Sequence, residues 1–161
     1  MDMRDARTDS PAAHRLLTDY FTWRASEFPP AQGTYTISYP DPTAFVAPDG
    51  AFIVAVDDDD EPVGCGGIRR IPRDEAGRAR FEVKHLWLAP DSRGKGLATA
   101  MMDELESRAR EFGADVMVLD THHTLTGAAR LYASRSYLPV DAYNENPNAT
   151  VWYRKDLGLS A

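Results

Sequence analysis

Residues 80–120 set two apolar strands on either side of one amphipathic helix, and this order restricts the fold more than any other part of the chain. The first strand, RFEVKHLWL at 80–88, alternates: Phe81, Val83, His85 and Trp87 are expected on one face and Glu82, Lys84, Leu86 and Leu88 on the other. The helix, from about Lys95 to Phe112, lines up Leu97, Met101, Leu105 and Ala109 at i, i+4 spacing, and Gly113 stops it. Along its outer face Glu104 is expected to pair with Arg108, and Glu106 with Arg110. The second strand, ADVMVLD at 114–120, is apolar on both faces, as suits a strand buried in a parallel sheet. A strand, a helix and a strand in this order make a right-handed crossover, so both strands belong to one sheet, parallel to each other.

The flanking segments make that sheet mixed. Upstream, AFIVAVD at 51–57, an acidic turn DDDE, and the glycine-rich PVGCGGIRRI at 62–71 form a hairpin, and with the strand at 80–88 they give an antiparallel meander. Downstream, TGAARLYASRS at 126–136 is a short helix, and YLPVDAY and ATVWYRKDL close the chain as a C-terminal strand pair. A first helix runs from an N-cap at Ser10, with Pro11 behind it, to about Phe28; residues 29–50 are irregular, with one short helix around Pro42 to Val46. The expected class is α/β, more exactly mixed α+β, folded as a single domain over residues 1–161.

Charge and sulfur content exclude several functions. A net charge of -7 disfavours a nucleic-acid or anionic-membrane partner, and no window is apolar enough to cross a bilayer. The first residues lack the apolar core of a secretion signal. One cysteine, Cys65, supports neither a disulfide framework nor a thiolate metal site; it is expected to be a small buried residue, and a cytoplasmic location fits. His122 and His123 are adjacent loop residues without a third ligand, assigned to the surface, with no metal.

Between the first strand and the crossover helix lies APDSRGKG, which places Gly94 and Gly96 with Arg93 and Lys95 at the helix start. A helix N-terminus exposes unpaired amides and partial positive charge, so the loop is suited to an anion with more than one negative charge, such as a pyrophosphate. The Walker pattern fails, because Ala89 and Gly96 stand where a glycine and a hydroxyl residue are needed. A dinucleotide fingerprint matches at Gly94 and Gly96, with Thr99 in place of the third glycine and Asp120 as the ribose contact, but the meander upstream does not suit a Rossmann domain.

A third pattern, Arg/Gln-x-x-Gly-x-Gly/Ala, is met by Arg93, Gly96 and Ala98. With FEVKHLWL before it and AARLYASRSY after it, the chain resembles the GNAT superfamily of acyl-CoA-dependent N-acetyltransferases over residues 10–157. The resemblance implies acetyl-CoA as co-substrate. Its pantetheine arm would bond main-chain groups of Leu86, Trp87 and Leu88, and its diphosphate would sit beside Arg93 on the amides of Gly94, Lys95, Gly96, Leu97, Ala98 and Thr99. The implied activity is direct transfer of an acetyl group, within a ternary complex, to a primary amine of a small molecule, an aminoacyl compound or a protein. Two positions depart from the family: Leu125 stands where an Asn is common, and Ser136 where a Gly is, which strains a left-handed backbone there by about 1 kcal/mol.

The same resemblance implies the catalytic roles. Tyr132 matches the tyrosine general acid, a phenol that stays protonated at neutral pH; a core tyrosine is the other reading. Bringing a lysine-like amine from its usual pKa to neutrality at pH 7 costs about 4.6 kcal/mol, so a base matters. Glu82 is the candidate base; equally, it is a strand residue paired with Lys84 or an arginine. Tyr20, Trp23 and Glu27 of the first helix, and Tyr143 in the terminal hairpin, are the candidate acceptor-binding residues. A non-catalytic acyl-CoA sensor is the alternative function. The glycine-rich strand and the terminal hairpin offer surfaces for a homodimer.

Overall fold

The computed structural model describes residues 1–158. Ser10 is extended, and its side chain accepts from the amide of Ala13, which starts α1 (Pro11–Glu27) where Pro11 needs no donor. Two apolar strands, β2 (Gly50–Val56) and β3 (Pro62–Ile71), follow the irregular segment and pair antiparallel; β3 in turn pairs with β4 (Arg80–Leu88). The crossover consists of α2 (Leu97–Glu111) and β5 (Val116–Thr121), and α3 (Thr126–Ser134) comes next. The chain closes with β6 (Leu138–Val140) and β7 (Val151–Asp156).

An additional strand, β1 (Asp2–Asp5), lies antiparallel on the outer edge of β2. Its sequence, DMRD, has no strand pattern, because an edge strand with both faces near water needs none. The sheet order is β1-β2-β3-β4-β5-β7-β6, with β4 and β5 the only parallel neighbours among the described strands. β7 inserts between β5 and β6, so the terminal pair is joined to the sheet by its second strand.

The two faces carry separate cores. On one, Leu97, Met101, Leu105 and Ala109 of α2 bury fully against Ile53, Ile68, Phe81 and Met117. On the other, Leu16, Leu17 and Phe21 of α1 pack on Phe52, Val54 and Trp87. The glycines of β3 permit this close approach: a Cβ at Gly67 would come within 2.8 Å of the Phe45 ring, and one at Gly64 within 2.6 Å of Leu88.

One charge pair differs from the helical expectation. Glu104 pairs with Arg108 at 2.8 Å, but Glu106 does not pair with Arg110. It turns inward, 2% exposed, and binds Lys155 at 2.6 Å, Arg135 at 3.1 Å and the Tyr137 hydroxyl at 3.2 Å. Three donors from β7 and the end of α3 make that burial tolerable, and they are contacts that helical spacing cannot anticipate.

Candidate functional site

β4 and β5 hydrogen-bond only over their first residues: Arg80, Phe81 and Glu82 oppose Val116, Met117 and Val118, and beyond this the strands diverge. β5 keeps its other partner throughout, with Thr121 still opposite Val151 of β7, so the sheet opens on one side only. The divergence leaves a cavity of about 880 Å³ between α1, β4, β5 and α3. Leu86, Trp87 and Leu88 line it, as does Tyr132.

A bulge in β4 sets the direction of these side chains. Cys65 opposes Trp87 and Gly67 opposes Lys84, so two residues, His85 and Leu86, face the single Gly66. His85 takes the left-handed conformation at φ 59. The extra residue breaks the alternation expected for this strand. His85 joins Lys84 on the α1 face, packing edge-on to Phe21 with ring centres 5.6 Å apart, while Leu86 joins Phe81 and Val83 on the α2 face. Trp87 lies on the α1 side with His85, and so on the opposite face from Phe81. Burial first, then the charges of Lys84 and Arg69, lower the His85 pKa to about 3, so its imidazole is neutral at pH 7. Cys65, fully buried opposite the bulge, has its thiol pushed up by the same desolvation and directs its sulfur toward the His85 carbonyl.

The loop after β4 has the geometry its glycines suggested. Gly94 and Gly96 sit at φ 75 and φ 79, and Gly96 is the residue from which α2 starts. A Cβ at either would meet nothing within 4 Å, so the backbone angle, and not crowding, demands glycine. Among the described residues nothing accepts a hydrogen bond from the amides of residues 94–99. Leu97 is buried beneath the turn and Thr99 is exposed, so these two contribute through the main chain. Arg93 lines the cavity beside Gly94; its Nε donates to the Leu88 carbonyl at 3.0 Å, and its guanidinium lies 4.9 Å from the Trp23 ring centre. Arg93 thus ties the loop to the end of β4 and to α1. Lys95 is exposed beside it.

Tyr132 projects from α3 into the cavity, 7% exposed, against Tyr137 and Tyr153. Burial raises its pKa above the ordinary phenol range, so it remains a donor at neutral pH. The turn after α3 holds Ser136 at φ 70, the left-handed backbone anticipated for this position.

The two carboxylates at the opening behave differently. Glu82 is 1% exposed; one oxygen binds Arg69 at 2.8 Å with Lys84 at 4.0 Å, and the other accepts from the Tyr143 hydroxyl at 2.6 Å. The paired reading of Glu82 describes the folded protein: its carboxylate is held by Arg69 and Tyr143 and lies outside the cavity lining. Tyr143, a candidate acceptor residue, donates its hydroxyl to Glu82 and is outside the cavity lining. Asp120, at the end of β5, does line the cavity; it accepts from Asn144 at 2.7 Å and Asn146 at 3.2 Å, with Lys84 at 3.6 Å. Nothing local in the sequence distinguishes Asp120 from Glu82, because the choice depends on where β4 and β5 part.

Tyr20, Trp23 and Glu27 line the same cavity from α1, and Arg24 lies among them. His122 is not a surface residue: it is 2% exposed, its ring nitrogens bonded to Gln32 at 2.6 Å and Thr124 at 2.7 Å. His123 is exposed, and no group of three metal-ligating side chains occurs among the described residues. Nor is any helix there long and apolar enough to cross a membrane.

Comparison with known proteins agrees with this geometry. An uncharacterised N-acetyltransferase of Schizosaccharomyces pombe is 32% identical over 108 residues, covering 67% of this chain and 64% of that protein, so the chain spans a little under two thirds of that relative. A GNAT-family acetyltransferase of Staphylococcus aureus superposes with TM-score 0.74 at 14% identity, over 98% of this chain and all of the other. A phosphinothricin acetyltransferase of Sinorhizobium meliloti, in complex with AcCoA, superposes with TM-score 0.67 at 18% identity, over 98% and 88% of the two chains. The family model described as acetyltransferase (GNAT) matches residues 11–137, from the first turn of α1 through the parted strands and the glycine loop to the tyrosine beyond α3, and the chain belongs to that family.

Proposed function

We propose that the chain is an acetyl-CoA-dependent N-acetyltransferase acting on a primary amine by direct attack within a ternary complex. The observation that carries this reading is one cavity lined by the β4 residues beyond Glu82, by Gly94 and Ala98 of the turn whose amides are free, and by Tyr132. A diphosphate fits the amides, which have no acceptor of their own. An extended amide-bearing arm fits the β4 edge, where the residues beyond Glu82 keep β3 on one side and have no strand on the β5 side. The indole nitrogen of Trp87 is a further buried donor without a partner there.

Bound acetyl-CoA supplies an acyl carbon activated as a thioester. The protein's share is to hold, to exclude water and to move two protons. Tyr132, kept protonated by burial, donates toward the sulfur that departs. Asp120, aimed into the cavity from β5, takes over the base role first considered for Glu82, directly or through water. Glu82 anchors Arg69 and Lys84, and so fixes the floor beneath Asp120.

Calorimetry with CoA, and thiol release from acetyl-CoA over a panel of amines, test this reading. Tyr132→Phe is expected to slow transfer about 100-fold while CoA affinity stays within about twofold. Failure to bind CoA at millimolar concentration refutes the proposal, and an unchanged rate in Tyr132→Phe refutes the role of the tyrosine and favours a binding module.

A further inference from the structure

Of the described arginines and lysines that line the cavity, Arg24 and Arg93 have no carboxylate partner, and of these two only Arg24 is buried. Arg69 is bound to Glu82 at 2.8 Å and Lys84 lies 3.6 Å from Asp120, so both have carboxylate partners. Arg24 has none within 4 Å among the described residues, although it is only 7% exposed. Its guanidinium makes two long bonds to neutral acceptors, the Tyr20 hydroxyl at 3.3 Å and the Asn148 carbonyl at 3.3 Å, and lies 5.0 Å from the Tyr35 ring centre. An arginine does not give up its proton, and a guanidinium has five donors; a buried charge held by two weak neutral contacts is under-compensated. Arg24 also lines the cavity.

Asp120 lines the same cavity from β5. Both charges act on one group: burial raises the Tyr132 hydroxyl, Arg24 pulls it down and Asp120 pushes it up. The cavity lining thus holds a buried cation without a carboxylate partner on α1, Arg24, and a carboxylate on β5, Asp120, together with Tyr132 on α3. A simple monoamine or polyamine can use Asp120 or Glu27, which also lines the cavity, but leaves Arg24 without an anionic partner.

We infer that the acceptor is an amine that also carries a carboxylate, bound with its anionic group on Arg24 and its amine toward Asp120. An amino acid or a short peptide with a nearby carboxylate meets this requirement, and the planar fork of arginine suits a carboxylate better than lysine would. The inference rests on the acetyltransferase reading and narrows its acceptor. The overall charge of -7 does not oppose it, because such an acceptor is a zwitterion.

The test compares free amino acids with their carboxamides and decarboxylated amines in thiol release, and in thermal shift with CoA present, using wild type and Arg24→Gln. Wild type is expected to favour the carboxylate form, and Arg24→Gln to raise KM for that form by about 30-fold, the loss expected when one partner of a buried charge pair is removed. The carboxamide and the KM for acetyl-CoA should be nearly unaffected. Arg24→Gln should also melt no lower than wild type without ligand, since it removes a charge that no carboxylate balances. Equal or better use of decarboxylated amines by wild type overturns the inference. So does an equal loss for both acceptor forms in the variant, or a fall in its melting temperature, either of which makes Arg24 a structural tie to Asn148. If no acceptor in the panel turns over, the thermal shift decides: a larger shift with carboxylates supports the inference and no difference overturns it. CoA binding, measured separately, reports on the acetyltransferase reading itself.

Discussion

Replacing Glu82 by Gln separates two roles that the sequence leaves equal. In the folded protein the carboxylate is 1% exposed between Arg69 and Lys84, whose side chains are 40% and 20% exposed. Removing one member of a buried ion pair costs about 3–5 kcal/mol. Water reaches both cations and the glutamine oxygen can still accept from Tyr143, so the lower end, about 3 kcal/mol, applies here. For a chain of 161 residues each kcal/mol moves the melting temperature by about 2–4 °C, giving a fall of about 6–12 °C. Thermal melts by circular dichroism measure the fall; thiol release, well below both transitions, measures the chemistry. The folded variant should keep kcat within about tenfold of wild type, whereas Asp120→Asn should lose about 100-fold, a deficit that shrinks as pH rises toward the pKa of the acceptor amine. A Glu82→Gln protein that melts within about 2 °C of wild type but loses about 100-fold in kcat would refute the assignment and restore Glu82 as the base.

Two further predictions concern the strained positions. His85 accepts a proton near pH 6.5 when unfolded but only near about 3 when folded, because burial, Lys84 and Arg69 oppose its charge. The unfolded chain therefore binds the extra proton between these values, and stability falls as pH drops from 6.5 toward 3. From pH 7 to 5 this group accounts for about 2 kcal/mol, which urea titrations should show as a shallower acid dependence in His85→Asn, where asparagine tolerates the left-handed backbone; an identical slope in both proteins contradicts it. Ser136→Gly relieves a φ of 70 at an exposed site, and after the greater freedom of the unfolded glycine is subtracted it should raise the melting temperature by about 1–2 °C. A lower melting temperature would show that the serine is not strained.

The parts legible in advance are those fixed by near neighbours along the chain. The Ser10 cap, the apolar row of α2, the glycine loop and the tyrosine of α3 depend on local spacing and backbone angles, and each lies where the residues indicated. Even the strain at Ser136 follows from residue type and position.

Other features depend on which strands meet. The bulge at His85 exists because β3 offers one residue opposite two, and it moved His85 to the face of Lys84. Asp120 became the cavity carboxylate and Glu82 a buried anchor because β4 and β5 stay paired through Glu82 and part beyond it. Glu106, His122 and Arg24 are polar residues on elements whose local pattern puts them near water; partners 29 to 124 positions away decide their burial. Sequence alone determined the crossover, the glycine loop before α2 and the place of Tyr132 on α3, since hydrophobic period and glycine backbone angles act over a few residues. Tertiary structure alone decided which charges face the acceptor, because the cost of burying a charge depends on what the rest of the chain brings beside it.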